Sequence, residues 1–286
     1  CDWSSDVCSS DLVVQLFRPT ENIARMNNSA ARMCIPHIPE DIYLEGLKKI
    51  VEVDADWVPH EFGTSLYLRP FVIATDAVLG VHAGHHYLFC IICSPSGSYY
   101  AEGINPVKIM IESRDVRAVR GGTGFAKCGG NYAASMRAGQ EAEKKGFSQV
   151  LWLDGVEMKY IEEVGAMNVM FKIDGKIVTP DISGGTVLPG ITRKSCIQVL
   201  KDWGYEVEER QLSVDELIDA AESGRLEEAW GCGTAAVVSP IGLLSYKDKD
   251  HIIADNKIGP VTQRLYDELT GIQWGKVPDT RGWIVK

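Results

Sequence analysis

Strand-like and helix-like segments follow one another along this chain without the strict strand-helix-strand rhythm of a doubly wound sheet. Apolar residues recur at helical spacing from Glu21 to Met33 and again from Ile42 to Val51. Residues 65–93 and 149–179 instead contain short runs rich in β-branched and aromatic side chains, which are typical of strands. The sequence therefore predicts an α+β fold with a mixed sheet.

Local signals give approximate bounds for the individual elements. We predict strands at 13–17, 65–69, 71–74, 87–93, 107–111, 149–153, 167–173 and 176–179, and helices at 132–145, 191–203 and 260–269 in addition to the two above. Asp174-Gly175 predicts a tight hairpin turn between the last two of these strands. Ser213 and Glu216 predict a capping box at the start of one further helix.

A Ser- and Gly-rich segment at 94–103 divides the chain into two predicted domains. We place a smaller domain at 13–98, a linker at 99–106 and a larger domain at 107–286. Residues 1–12 repeat Ser-Ser-Asp at 4–6 and 9–11 and show no apolar periodicity, so they look like a non-native leader. We expect them to contribute nothing to the fold, which leaves the strand at Val13 without a partner before it.

Charge and cysteine usage exclude several classes of partner. The net charge is -10, from 29 basic and 39 acidic residues, and it disfavours binding to nucleic acid. The longest apolar run, Tyr87 to Cys93, is far below the roughly 20 residues that span a bilayer, so no membrane partner is expected. The eight scattered cysteines fit a reducing compartment, the cytoplasm.

Two motifs with metal-ligand residue types are interpreted as structural. Cys90 and Cys93 lie in an apolar strand, where residues three apart point to opposite faces. His82, His85 and His86 lie in a loop with no acidic or thiol ligand nearby, and we interpret them as surface histidines. The sequence therefore predicts no metal site.

The densest chemical signal is one lysine, Lys127, bracketed by glycines at 121–130. A phosphate-binding P-loop needs glycine before the lysine and serine or threonine after it, but Ala126 and Cys128 occupy those places. A dinucleotide-binding fingerprint also fails, because Lys127 stands where its third glycine belongs. Two interpretations stay open on the loop alone: a solvated surface lysine, or a Schiff-base lysine that a flat ligand can approach.

Several distant segments, taken together, resemble branched-chain amino acid aminotransferases, which are fold type IV enzymes dependent on pyridoxal 5'-phosphate. The matching segments, in chain order, are Leu16-Phe-Arg-Pro19, Arg25-Met26, Asp56-Trp-Val-Pro59, Gly63-Thr-Ser-Leu-Tyr-Leu-Arg-Pro70, Gly121-Gly-Thr-Gly-Phe-Ala-Lys-Cys-Gly-Gly-Asn-Tyr132, Val150-Leu-Trp-Leu153, Glu163-Val-Gly-Ala-Met-Asn168, Leu188-Pro-Gly-Ile-Thr-Arg193 and Gly231-Cys-Gly-Thr-Ala235. The resemblance covers residues 13–286.

The resemblance implies a role for each matched residue of the cofactor site. Lys127 is the catalytic lysine that holds the cofactor and moves protons. Glu163 pairs with the pyridine nitrogen, although its neighbour Glu162 is an alternative, and Tyr132 contacts the ring 3'-oxygen. The phosphate ligands that the resemblance implies are Arg25, Thr234 and the backbone N–H groups of Ile191 and Thr192.

On the substrate side, the resemblance implies a pocket for amino acids and 2-oxo acids. Tyr67, Arg69 and Tyr99 match pocket residues, and the backbone amides of Ala166 and Ala235 match the groups that hold the substrate carboxylate. It also implies a homodimer. Family members continue upstream of the position of Val13, so the resemblance implies an N-terminally truncated small domain and an incomplete substrate pocket.

The implied reaction is reversible transfer of the amino group of leucine, isoleucine or valine to 2-oxoglutarate. Two related fold type IV activities are alternatives, D-amino acid transamination and the aminodeoxychorismate lyase reaction. The Gly-Gly-Thr-Gly and Leu-Trp-Leu contexts favour the branched-chain group. A third alternative is a fragment that binds the cofactor without turnover.

Overall fold

The computed structural model describes residues 5–10, 13–97 and 104–286, and the chain divides into two compact units. The first unit comprises residues 1–101, 126–129 and 270–286, and the second comprises 102–125 and 130–269. The division differs from the predicted one because the C-terminal segment and the short stretch around Lys127 belong to the first unit. The last strand of the chain pairs in the sheet of that unit, which explains why the C-terminus lies there.

The element bounds are as follows. The strands are β1 Ser5–Ser10, β2 Val13–Phe17, β3 Ser65–Ala74, β4 Tyr87–Ser96, β5 Val107–Ile111, β6 Gln149–Leu153, β7 Ile161–Val164, β8 Asn168–Ile173, β9 Lys176–Thr179, β10 Val207–Glu209, β11 Leu226–Gly233, β12 Val237–Tyr246, β13 Lys249–Ile252 and β14 Ile284–Val285. The α-helices are α1 Pro19–Arg32, α2 Glu40–Val53, α3 Gly129–Lys144, α4 Ile191–Asp202, α5 Val214–Glu222 and α6 Pro260–Gln273.

The first unit is built on a five-stranded antiparallel sheet in the order β14-β2-β1-β3-β4. Alternate residues of β3 are buried, and the apolar faces of α1 and α2 belong to the same core. The large, fully buried side chains of that core include Ile23, Met26, Tyr43, Leu47 and Leu66. The period-2 pattern of β3 and the helical period of α1 and α2 thus produce one shared apolar core.

The strand β1 overturns the expectation that residues 1–12 contribute nothing and that β2 has no partner before it. Ser5–Ser10 pairs with β2 on one side and with β3 on the other, in register from Val7 to Leu16 and from Val7 to Leu66. Strand pairing uses backbone N–H and C=O groups, so a segment without apolar periodicity can still complete a ladder. The side-chain pattern alone therefore misjudged this segment.

The second unit contains a nine-stranded sheet that is mixed, as predicted. Its order is β10-β9-β8-β11-β12-β5-β6-β7, with β13 paired to β12. The pairs β9–β10, β5–β12 and β5–β6 are parallel, and the other pairs are antiparallel. The sheet curls, since an isolated bridge between Val164 and Met167 joins the end of β7 to the start of β8.

Most predicted elements are confirmed, with bounds shifted by a few residues. The hairpin turn at Asp174-Gly175 is confirmed, and both residues have positive φ angles of 50° and 77°. The two strands predicted on either side of Pro70 form one strand, β3. Pro70 lies beyond the part of β3 that pairs with β1, so its missing N–H is tolerated there.

The capping box is confirmed in part. The backbone N–H of Glu216 donates to Ser213 Oγ at 3.1 Å, but the Glu216 carboxylate accepts from Arg210 instead of closing the box.

Sequence patterns did not predict β7, β10–β13 or β14. Paired acidic residues or glycines interrupt the apolar pattern of β7 and β11, although most of their residues are buried.

Among the described residues, no helix is long and apolar enough to cross a membrane.

Candidate active site

The first unit places Lys127 against helix α1. The backbone N–H of Lys127 donates to Ser29 Oγ at 3.0 Å, and the Ser29 hydroxyl donates to the carbonyl oxygen of Arg25 at 3.2 Å. Arg25 and Ser29 are one helical turn apart, so they share a face of α1. The structure therefore brings together two of the predicted cofactor residues of this unit, which are 102 positions apart in the sequence.

Arg25 is buried, although the helical pattern alone would make it an ordinary exposed arginine. Its Nη2 group donates to Asn22 Oδ1 at 3.3 Å, and its positive charge acts on the buried hydroxyl of Tyr43. Burial raises the pKa of Tyr43 well above its ordinary value, and the nearby charge of Arg25 partly offsets this increase. An arginine held in this way can serve an anionic group.

The glycines around Lys127 lie in two different steric environments. A Cβ atom at Gly124 would lie 2.3 Å from the carbonyl oxygen of Thr186, and one at Gly122 would lie 2.9 Å from that of Val119. Gly124 therefore allows the loop to pack closely against the backbone at Thr186, and Gly122 allows a tight turn at Val119. Cβ atoms at Gly129 and Gly130 would meet no atom within 4 Å, so these positions border open space.

The carboxylate of Glu163 is buried on β7 and has a polar partner at each oxygen. The N–H of Leu188 donates to Oε1 at 2.7 Å, and Nε of Arg117 lies 3.3 Å from Oε2. Arg117 is itself buried and also donates to the carbonyl oxygen of Thr186. This environment stabilises a charged carboxylate inside the protein, which is what a partner for a protonated ring nitrogen requires.

Glu162, the alternative to Glu163, has a different environment. Successive residues of a strand point to opposite faces, so the two side chains diverge. Burial raises the pKa of Glu162 to about 7, against the lowering effects of a hydrogen bond with Thr186 and of the charge on Arg117. The contacts of Glu163, which join it to the loop before α4, favour it as the ring-nitrogen partner.

The loop 186–190 links Glu163 to the start of helix α4. Leu188 donates its N–H to Glu163 and accepts from Nδ2 of Asn168 at 2.9 Å. Gly190 is required here, because a Cβ atom would lie 1.9 Å from Asn168 Oδ1. Helix α4 has no side-chain cap at its start, so the N–H groups of Ile191 and Thr192 can bind an anion.

Replacing Gly190 by alanine is expected to destabilise the protein by about 1–3 kcal/mol and to weaken pyridoxal phosphate binding. The new methyl group collides with Asn168, so the loop that orients the first turn of α4 must move. Thermal unfolding and a cofactor titration measure the two effects. Gly139→Ala is the matched control: Gly139 lies within α3 with nothing within 4 Å, so alanine should stabilise by roughly 0.5–1 kcal/mol and leave affinity unchanged. Unchanged affinity in Gly190→Ala would contradict the role of this loop.

Two tight turns lie at the same end of β8 and β11. Gly165-Ala166 joins β7 to β8, and Thr234-Ala235 follows the end of β11. The side chain of Met167 fills the space beside both segments, since Cβ atoms at Gly231 and Gly233 would lie 2.9 Å and 3.0 Å from it. The exposed Ala166 and Ala235 are thereby brought to one edge of the sheet with half-buried Thr234.

Tyr67 and Arg69 share the face of β3 opposite the core, as their spacing predicts. The guanidinium of Arg69 lies 5.1 Å from the centre of the Tyr67 ring, and its Nη2 donates to the Tyr67 hydroxyl at 3.3 Å.

Tyr132 lies in the first turn of α3 and is half-buried. Tyr99 lies outside the described residues.

Sequence reasoning missed three residues that position the site: Ser29, Arg117 and Asn168. Each acts through a neighbour, by binding the backbone of Lys127, the carboxylate of Glu163 or the carbonyl oxygen of Leu188. Helical spacing from Arg25 could have pointed to Ser29. Nothing in the local sequence distinguishes Arg117 from the arginines at 114 and 120.

The histidine loop has an acidic neighbour that the sequence interpretation did not foresee. Asp76 accepts from the backbone N–H of His85 at 2.8 Å, and its Oδ1 lies 3.1 Å from His86 Nδ1. The hydrogen bond with the His86 side chain is the main cause that lowers the pKa of Asp76, to about 2. Among the described residues, no group of three or more His, Cys, Asp or Glu side chains could hold a metal ion.

Comparison with known proteins gives consistent matches. Residues 14–244 match the family model described as amino-transferase class IV. Branched-chain-amino-acid aminotransferase 2 of Bacillus subtilis (strain 168) is 58% identical over 278 residues, which are 97% of this chain and 76% of the relative. The crystal structure of Escherichia coli branched-chain amino acid aminotransferase superimposes with a TM-score of 0.84 at 27% identity, covering 100% of this chain and 89% of that one. A second crystal structure, the T.th. branched-chain amino acid aminotransferase with pyridoxamine 5'-phosphate, gives a TM-score of 0.84 at 29% identity, with 99% and 88% coverage.

Proposed function

This chain belongs to the class IV aminotransferases, and from that membership we propose that it transfers the amino group of leucine, isoleucine or valine to 2-oxoglutarate. The cofactor is pyridoxal 5'-phosphate, and the products are the branched-chain 2-oxo acids and glutamate. The reaction is reversible, since each half-reaction exchanges an amino group for a carbonyl oxygen.

One observation carries this proposal: the buried Glu163, paired with Arg117, is joined through Leu188 to the uncapped start of helix α4. A pyridoxal phosphate molecule needs a carboxylate at its ring nitrogen and an anion site for its phosphate. The second unit contains both: Glu163 on β7 is hydrogen-bonded to the short loop that leads into α4, and the missing Cβ atom at Gly190 lets Asn168 pack against that loop. These residues fit the cofactor.

Each residue of the proposed site has a defined task. When bound, pyridoxal phosphate supplies an electron sink for negative charge at the substrate Cα. Lys127 holds the cofactor and moves the proton at that carbon. Glu163 keeps a proton on the ring nitrogen, and Tyr132 donates to the ring 3'-oxygen. The phosphate is bound by Arg25, the Thr234 hydroxyl and the N–H groups of Ile191 and Thr192, where the helix dipole favours an anion.

The substrate is proposed to bind through backbone and side-chain groups of separate elements. The N–H groups of Ala166 and Ala235 hold its carboxylate, and their exposed positions at the two turns leave them accessible. Tyr67, Arg69 and Tyr99 form the side-chain pocket. Tyrosine rings supply apolar contact to a branched side chain, while the guanidinium of Arg69 holds the Tyr67 ring in place.

We also propose that the enzyme is a cytoplasmic homodimer. The β3–β4 sheet exposes about half of the side chains of Ile73, Leu88 and Ile92, an apolar surface that a second copy can cover. Six cysteines of the described part are free thiols, which supports a reducing compartment. Sedimentation velocity measures the oligomeric state.

The purified chain, supplied with pyridoxal phosphate, is expected to form glutamate from L-leucine and 2-oxoglutarate. We expect higher kcat/KM for leucine, isoleucine and valine than for L-alanine or D-alanine, because an apolar pocket gains contacts with each added methyl group. A coupled glutamate assay and detection of the 2-oxo acid by mass spectrometry test this. Preference for D-alanine, or release of pyruvate from aminodeoxychorismate, would contradict the proposal and indicate a related activity.

A further inference from the structure

A cavity of about 250 Å³ lies in the second unit, and Glu162 is part of its wall. This volume is far above the ~10–15 Å³ that a cavity needs to hold one water molecule. It can therefore hold a small organic molecule. The lining residues include the apolar side chains of Val156, Ile161 and Val187.

Glu162, one of the residues that line this cavity, carries a buried acceptor that is not used within the described chain. The residue is 95% buried, from a relative exposure of 5%, and the Thr186 hydroxyl bonds to the carboxyl group. The other oxygen, Oε2, has no hydrogen-bond partner within the described chain. A buried carboxyl oxygen without a donor is costly, so a ligand that brings a donor is stabilised there.

The charges of the cavity wall select the sign of that ligand. Among the described residues of the cavity wall, acidic side chains dominate: Asp154, Glu157, Glu162 and Asp181 stand against one cation, Arg120. The Asp154 oxygens already accept four backbone N–H groups of residues 156–160, and both Asp181 oxygens bind Ser183. These two carboxylates contribute negative potential, while Glu162 contributes the open hydrogen-bonding position.

We propose that this cavity is a binding site for a small aliphatic primary ammonium, with its nitrogen donating to Glu162 Oε2 and its carbon chain against the apolar wall. The site is separate from the one assigned to the cofactor, because Glu162 and Glu163 leave β7 on opposite faces. The inference does not depend on the proposed function.

The test is calorimetric titration of the purified 286-residue chain with n-butylammonium chloride at pH 8. Saturable binding is expected, and n-butanol, which has the same shape without the charge, should bind at least about tenfold more weakly because a charge-assisted hydrogen bond is lost. Glu162→Gln is expected to weaken n-butylammonium binding by about tenfold or more. Glu157→Gln removes an exposed charge from the same wall and should change the affinity for n-butylammonium by less than about twofold.

A second measurement needs no variant. Burial raises the pKa of Glu162 to about 7, so the carboxyl group is mostly protonated below that pH. An ammonium that binds the ionised form must then displace the proton. Affinity should therefore rise about tenfold per unit between pH 5 and 6.5 and level off above pH 8, while the alkylammonium stays charged throughout. The charged groups that act on Glu162 are Arg117, Glu163 and Asp154. Burial raises the pKa of Asp154, but the backbone N–H groups that it accepts lower it further, so Asp154 stays ionised over this range.

Three results would overturn the proposal. One is the absence of saturable binding at millimolar n-butylammonium. Another is an equal loss of affinity in Glu157→Gln and Glu162→Gln, which would mean diffuse attraction to an acidic surface. The third is affinity that does not change with pH between 5 and 8.

Discussion

Replacing Lys127 by alanine is expected to abolish transamination, with kcat/KM for leucine lower by about four orders of magnitude or more. The alanine side chain can neither hold the cofactor covalently nor carry a proton at the substrate Cα. The visible absorbance of the cofactor-loaded protein should disappear as well. Absorbance spectra and the glutamate assay measure the two effects.

Lys145→Ala is the matched control, because Lys145 is an exposed lysine just after helix α3. It should retain both the absorbance and the activity. After borohydride reduction of the unmodified protein, peptide mapping should place the cofactor mass on the peptide that contains Lys127. Recovery of the label on another lysine would refute the assignment.

Replacing Glu163 by glutamine is expected to lower kcat by several orders of magnitude, on the order of 10³. A neutral amide cannot keep the ring nitrogen protonated, so the cofactor no longer withdraws charge from the substrate Cα. The glutamine oxygen can still accept from the N–H of Leu188, so the loop before α4 should keep its path. Single-turnover kinetics with leucine isolate the chemical step from substrate binding.

Glu162→Gln separates this role from the general effect of a lost buried carboxylate. It lies on the same strand and is also buried, and we expect its kcat to fall at least about tenfold less than that of Glu163→Gln. Equal losses in the two variants would contradict the role of Glu163. The thermal stability of both variants should be measured as well, because removing the charge of Glu163 leaves the buried Arg117 without its carboxylate partner.

The α-helices and about half of the strands of this fold could be predicted because their signals are local. The periods of α1, α2 and β3 follow from which side chains face the core, and Asp174-Gly175 adopts the positive φ angles that its turn needs. The failures occur where pairing is set by the backbone. β1 has no apolar periodicity and still lies between two strands, because its N–H and C=O groups complete their ladders.

The features of the candidate site also fall into those that the local sequence predicts and those that it does not. Sequence alone determined which residue types could do the chemistry: one lysine in a glycine-rich loop, an acid before Val164, and a Pro-Gly pair that begins a helix. Only the tertiary structure decided that Ser29 binds the backbone of Lys127, and that Arg117 and Leu188 bind Glu163 rather than Glu162. The physical reason is that residue identity and local period depend on near neighbours, whereas burial, hydrogen-bond partners and pKa shifts depend on contacts between segments far apart in the chain.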